Sequence, residues 1–111
     1  MRQIGILAAG ALYALKHQYG RLAEDHENAK LLARAVSQCK SLQLSDNEPD
    51  TNIVIFHVAK DWGTSERFSS SLKEQGILSL PFGSQSVRLV THLDVSREQT
   101  LQACNTISKI A

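Results

Sequence analysis

The sequence predicts an α+β fold, in which a small and mainly antiparallel sheet of about three strands carries its helices on one face. Apolar residues recur every three or four positions, the period of a helix, over residues 4–19 and 21–40. Short, apolar and β-branched segments follow, separated by turn residues, at residues 52–59, 77–80 and 87–92. Two more helical patterns lie at residues 65–75 and 96–110. A long helical segment therefore precedes a small mixed domain.

The first helical segment combines an apolar stripe with small residues on its other faces, among them Gly5, Ala9 and Gly10. Small residues on several sides allow other backbones to approach closely. We therefore expect this helix to be packed between elements of a larger body and not to lie on a surface.

The second helical segment has one apolar stripe, formed by Leu22, Ala29, Leu32, Ala33, Val36 and Cys39. Residues 45–50 contain turn formers and Pro49, which predicts a loop after this helix. We divide the chain accordingly. Residues 1–40 are predicted to be a helical segment that packs against a larger body, and residues 41–111 to be the α+β domain.

The predicted strands differ in how many of their faces are expected to be buried. Residues 52–59 are apolar at nearly every position, which favours a strand covered on both faces. Residues 77–80 form a short run stopped by Pro81. Residues 87–92 alternate, with Val87, Leu89 and Thr91 on one face and Arg88, Val90 and His92 on the other.

Capping residues delimit the two helices of the mixed domain. Thr64 or Ser65 can cap the helix at residues 65–75, and Gly76 stands where a left-handed C-terminal residue belongs. Ser96 and Gln99 have the spacing of a capping box for the last helix.

Composition narrows the functional classes. The chain has 111 residues, 42% of them apolar, which is enough for one core. A net charge of +1 gives no reason to expect nucleic acid as a partner. No apolar run reaches the roughly 18 residues that span a membrane, and no export signal is recognisable. We expect a cytoplasmic protein with no membrane partner.

Neither a metal site nor a catalytic residue is predicted. Cys39 and Cys104 occupy apolar positions, where a thiol acts as a small hydrophobe. His17, His26 and His57 lack metal-ligand spacing with one another or with the cysteines. The lysines lie mostly on polar helix faces, and Lys60, just after a strand, reads as a surface residue.

Arg88 is the most informative residue, because it interrupts an otherwise apolar strand. A buried guanidinium needs an anion or several acceptors, and its planar fork suits a carboxylate or a phosphate. Two structural alternatives stay open, an edge-strand arginine that points at water and a pair with Asp94 or Glu98. His92 would share the face of Arg88, although a lone strand histidine more often has a structural role.

Three segments resemble the low-specificity L-threonine aldolases, a branch of the fold-type I pyridoxal-phosphate (PLP) enzymes. The first segment is MRQIGILAA at residues 1–9, which leads to RLAEDHENA at residues 21–29. The second is TNIV at residues 51–54, and the third is RLVTHLDVSREQ at residues 88–99. Their order and spacing extend the resemblance over nearly the whole chain.

The resemblance implies the C-terminal small domain of an enzyme that cleaves L-threonine or L-allo-threonine to glycine and acetaldehyde. The large domain, with the lysine that holds PLP, would lie upstream, and residues 1–40 would link to it. This chain alone is therefore expected to be inactive. By position, Arg88 matches the arginine that binds the substrate carboxylate, and Arg2 matches an arginine near the cofactor phosphate. Because the family often contributes that second arginine across a subunit interface, a homo-oligomer is expected.

Two other functions stay open at this point. The chain could be a stand-alone domain that binds an amino acid through Arg88 or regulates another protein. It could also be an oligomerising fragment without activity, because the first helix and the doubly covered strand both suggest missing partners.

Overall fold

A computed structural model describes residues 2–46 and 48–111 and confirms the α+β class. Its helices and strands are, in chain order, α1 (Ile4–His17), a 3-10 turn (Tyr19–Arg21), α2 (Leu22–Ser37), β1 (Leu42–Leu44), β2 (Ile53–Val58), α3 (Ser65–Glu74), β3 (Leu80–Phe82), β4 (Ser86–Val90) and α4 (Arg97–Ile110). All the predicted helices are present.

The sheet has four antiparallel strands in the order β1-β2-β4-β3, where the sequence predicted about three. The additional strand is β1, which pairs Leu42 with Val58 and Leu44 with Phe56. A strand of three residues is too short for its alternation to be distinguished from the end of a helical pattern. Its pairing with β2 supplies the evidence that the local sequence lacks.

Two strand boundaries also differ from the prediction. The predicted strand at residues 77–80 is β3, which starts at Leu80 and includes Pro81. Proline is tolerated there because β3 is an edge strand. The predicted strand at residues 87–92 is β4, which begins at Ser86 and ends at Val90.

The sheet is covered on one face only within the described residues. Along β2, Val54, Phe56 and Val58 are buried, whereas Ile53 is 39% exposed and His57 is exposed. The expectation that this strand is covered on both faces is wrong for the described chain, because its packed helices all lie on one side. We call the uncovered side the open face. It carries Ile53, Ile55, His57, Leu80, Phe82, Ser86, Arg88 and Val90.

The hydrophobic core lies between the inner face of the sheet and helices α2, α3 and α4. An aromatic cluster forms its centre, where Phe68 lies 5.6 Å from Phe56 and 4.9 Å from Trp62 between ring centroids. Both pairs are edge-on, the arrangement that aromatic quadrupoles prefer. The α2 stripe predicted from the sequence enters this core, apart from Leu22, which is exposed. Helix α2 therefore shares a core with the sheet.

The predicted helix caps are confirmed. The Thr64 hydroxyl accepts a hydrogen bond from the Arg67 N–H at 3.2 Å. Ser96 and Gln99 form the reciprocal capping box at 2.9 and 3.1 Å. Gly76 has φ +81°, a conformation that side-chain-bearing residues rarely adopt. An N-cap such as Thr64 or Ser96 stabilises its helix by about 1 kcal/mol.

Helix α1 has no buried residue. Its large apolar side chains are all more than half exposed, among them Ile6 at 74% and Leu15 at 65%. The chain accordingly extends over 53 Å along its longest axis and 27 × 26 Å across it. The partner that the sequence predicts for α1 is not among the described residues. None of the described helices is long and apolar enough to cross a membrane.

The two cysteines have the apolar environments that the sequence predicts. Cys39 is buried just beyond the end of α2, and Cys104 packs against the same core from α4. Burial raises the pKa of both thiols. A raised pKa leaves less thiolate at any given pH, and the thiolate is the reactive form.

We therefore expect Cys39 in the folded chain to react with an aromatic disulfide reagent at pH 8 at least about tenfold more slowly than free cysteine. The measurement is the release of the coloured thiol from a Cys104→Ser variant, with and without denaturant. Denaturant should restore the rate of a free thiol. A rate equal to that of free cysteine without denaturant would contradict the structure at this position.

Candidate functional site

Arg88 lies at the centre of the open face. Its strand β4 pairs with β2 on one side and β3 on the other, and Arg88 stands directly opposite Ile55 and Leu80. The inward side chains of Val87 and Leu89 are buried, which fixes Arg88 on the opposite side. The guanidinium is thus presented on a mostly apolar surface by a strand that is held along both edges.

The Arg88 side chain has unmet hydrogen-bonding capacity. Its Nε atom is buried and has no hydrogen-bond partner in the described part of the chain. The ion pairs there include none between Arg88 and Asp94 or Glu98. That structural alternative is therefore not observed. An unpaired buried donor costs about 1–3 kcal/mol, so this arrangement favours an acceptor from outside the described residues.

The open face also brings His57 and Ser86 close to Arg88. The Ser86 hydroxyl lies 2.9 Å from His57 Nδ1, and the Ser45 hydroxyl lies 3.1 Å from His57 Nε2. Ser86 is two residues from Arg88 on the same strand face. The sequence pattern indicated no role for Ser86, and His57 was considered only as a metal ligand. Their proximity depends on the register of β2 against β4, which the sequence pattern alone does not define.

His92 does not share a strand face with Arg88, because β4 ends at Val90. His92 lies in the following turn, where its Nδ1 accepts a hydrogen bond from the Asp94 N–H at 3.2 Å. Its side chain lines a cavity of about 360 Å³ together with Leu32, Thr100 and Ala103 on the helix side of the sheet. The suggestion of one site lined by both residues is wrong.

Arg2 lies apart from the sheet. It is exposed in the turn before α1, next to Gln3, whose φ of 56° is left-handed. Arg2 precedes α1, which contacts the 3-10 turn, whereas Arg88 lies on β4 within the sheet. The two predicted site arginines therefore belong to separate parts of the structure.

The lysines and the metal-ligating residue types of the described chain do not form a second candidate site. None of the six lysines is buried, although Lys30 is half-buried beside Glu27, 3.8 Å from its carboxylate. Among the described residues, no group of three or more His, Cys, Asp or Glu side chains could hold a metal ion. The open face around Arg88 is the candidate site that remains, and its chemistry is that of an anion receptor in apolar surroundings.

Comparisons with known proteins place the chain in a family. A profile described as beta-eliminating lyase matches residues 1–61. The chain is 41% identical over 99 residues to the low specificity L-threonine aldolase of Escherichia coli strain K12, covering 89% of this chain and 28% of that protein. It is 38% identical over 98 residues to low-specificity L-threonine aldolase 1 of Arabidopsis thaliana, covering 86% and 27%. The chain thus spans little more than a quarter of these relatives.

A solved structure shows the same fold. It is a variant of the cystine C-S lyase C-DES with glycine covalently linked to the PLP cofactor. It aligns with a TM-score of 0.75 at 18% identity and covers 96% of this chain and 28% of that one. The profile covers more than half of the 111 residues, and the fold is that of domains in fold-type I PLP enzymes. This chain therefore belongs to the beta-eliminating lyase family.

Proposed function

We propose that this chain provides the substrate-carboxylate arginine of a PLP-dependent aldolase that cleaves L-threonine or L-allo-threonine to glycine and acetaldehyde. One observation supports the role of Arg88 above the others. Its guanidinium is held on the open face among apolar residues, and its buried Nε has no partner in the described chain. An α-carboxylate is an acceptor of the right charge and shape for that group.

Binding through Arg88 would orient the amino acid as well as hold it. A guanidinium can donate two parallel hydrogen bonds to a carboxylate, which fixes the plane of the carboxylate. The bonds at Cα then have a set direction, and the bond to be cleaved can be aligned. The apolar neighbours Ile55 and Leu80 would keep water from the ion pair and so strengthen it.

The described residues fit only part of the PLP cofactor. When bound, PLP withdraws electrons from Cα of an amino acid. Arg2 is an exposed cation that could contact its phosphate, as the resemblance implies. No lysine of this chain is buried, and a solvated ammonium is a poor covalent partner for the cofactor. The lysine would therefore come from another part of the complete enzyme.

Two partners follow from the same proposal. The upstream large domain would cover the open face, whose exposed side chains include Ile53, Leu80 and Phe82. Helix α1, with no buried residue, would pack against that domain or against a second subunit of a homo-oligomer. Residues 1–40 would thereby link the two domains, although the core contacts of α2 tie it to the sheet as well.

The 111-residue chain alone is expected to release no acetaldehyde from L-threonine above the rate of free PLP, even with PLP in excess. The reason is the absence of a buried lysine to hold the cofactor. A coupled dehydrogenase assay measures the acetaldehyde, and Lys60→Ala serves as the control for an unexpected covalent site. Release above that background that is lost in Lys60→Ala would contradict the proposal.

The positive test joins the chain to its upstream coding region. The product should show a visible cofactor absorbance band that disappears on borohydride reduction, and it should cleave L-threonine. If the joined protein binds no PLP while the chain alone binds amino acids, a stand-alone binding domain would be the correct function.

A further inference from the structure

Thr91, the first residue after β4, forms hydrogen bonds with helix α2 and with Asn52, the residue before β2. It is only 1% exposed. Its hydroxyl donates to the Asp25 carbonyl oxygen at 2.7 Å, on helix α2. Its N–H donates to the Asn52 carbonyl at 3.0 Å, and its own carbonyl accepts from Asn52 Nδ2 at 2.7 Å. The backbone and hydroxyl of this residue are all engaged.

A second pair of hydrogen bonds joins Asp25 to Arg21 in the turn before α2. Asp25 is 2% exposed, and its carboxylate accepts hydrogen bonds from Arg21 Nη2 at 2.7 Å and Nη1 at 3.1 Å. The hydrogen bond with Asp25 raises the pKa of the Arg21 guanidinium. Arg21 ends the 3-10 turn that joins α1 to α2. These contacts therefore connect the 3-10 turn before α2 to the residue that follows β4.

These contacts help to set the angle between the sheet and α2, which strand pairing alone does not determine. Pairing with β2 and β3 sets the register of Arg88 within the sheet. It does not set the angle of the sheet against α2, which the shared hydrophobic core and the bond from Thr91 to Asp25 set together. The bond from Thr91 to Asp25 crosses between those two parts, three residues after Arg88 in the chain.

We infer that Thr91 is a positioning residue, which holds the Arg88 strand at a fixed angle to α2 and the turn before it, with Arg21–Asp25 completing the connection. The inference rests on the proposed carboxylate role of Arg88. Two stretches of the aldolase resemblance, residues 21–29 and 88–99, meet at this contact.

A valine at position 91 would fill nearly the same volume but could not donate to Asp25. In the complete enzyme we expect Thr91→Val to raise KM for L-threonine about two- to tenfold, with a smaller change in kcat. Thr91→Ser keeps the hydroxyl and should stay within about twofold of the parent enzyme. Thr100→Val is the matched control, since Thr100 is also 1% exposed but its hydroxyl bonds Ser96 within its own helix region.

A double variant separates positioning from general packing. If Thr91 acts through Arg88, adding Thr91→Val to Arg88→Ala should cause no further loss of kcat/KM. Multiplied losses in the double variant, or equal losses in Thr100→Val, would show a structural role and overturn the inference. If Thr91→Val keeps the kinetics of the parent enzyme while Arg88→Ala is impaired, the inference about Thr91 is wrong and the proposed function stands. An unaffected Arg88→Ala would refute the proposed function, and the inference with it.

Discussion

Replacing Arg88 with alanine in the complete enzyme is expected to lower kcat/KM for L-threonine by about ten- to a hundredfold. A hydrogen bond to a charged group contributes about 1.5–3 kcal/mol, and misorientation of the substrate adds to the loss. Cofactor binding should stay nearly intact, because Arg88 is assigned to the substrate and not to PLP. Steady-state kinetics and a PLP titration by absorbance measure the two effects.

Lysine at the same position distinguishes geometry from charge. Arg88→Lys keeps one positive charge but loses the two-pronged donor, so it should also reduce kcat/KM strongly. Free guanidinium should partly restore the alanine variant by occupying the vacated position. Arg97→Ala is the matched control, because Arg97 is an exposed arginine in the first turn of α4. Wild-type kinetics in both Arg88 variants would make Arg88 a structural strand residue.

The sequence was sufficient for features that depend on local patterns. The helices, the two caps and Gly76 follow from spacing and residue type over a few positions. Arg88 was identified for the same reason, since a charge in an apolar strand is visible without any tertiary information. The pattern could not show whether that charge was paired.

Features that depend on pairing between distant segments were missed. The strand β1 is defined by its ladder with β2, and Pro81 is compatible with a strand only because β3 lies at the sheet edge. The His57–Ser86 hydrogen bond joins residues from two strands. The Thr91–Asp25 contact likewise joins two distant segments. Each is a tertiary fact with no periodic trace.

The number of faces on which β2 is covered was predicted wrongly for a different reason. Continuous apolar residues at 52–59 predict two covered faces, and the described chain covers one. The remaining apolar side chains of β2 are suited to contacts that the described residues do not provide, and the same holds for the exposed stripe of α1. Hydrophobicity therefore reports what a segment is suited to contact, including partners outside the described residues.

The second large effect concerns the core. Phe68→Ala in the 111-residue chain is expected to lower the free energy of unfolding by about 3–5 kcal/mol. Phe68 is fully buried and packs edge-on against Phe56 and Trp62, so its removal leaves a cavity and breaks both aromatic contacts. A domain of this size has a total stability of roughly 5–15 kcal/mol, so the loss is a substantial fraction of it. Urea unfolding followed by Trp62 fluorescence measures the change.

Matched substitutions show whether this loss belongs to the core or to any large apolar side chain. Phe82→Ala removes the same ring from the open face, where Phe82 is 45% exposed, and should change the free energy of unfolding by about 1 kcal/mol. Leu12→Ala in α1, where Leu12 is 52% exposed, should stay within about 0.5 kcal/mol. The expected order is therefore Phe68, then Phe82, then Leu12. Comparable losses in Phe68→Ala and Leu12→Ala would mean that α1 folds back onto the core in solution, and the exposed first helix described above would be wrong.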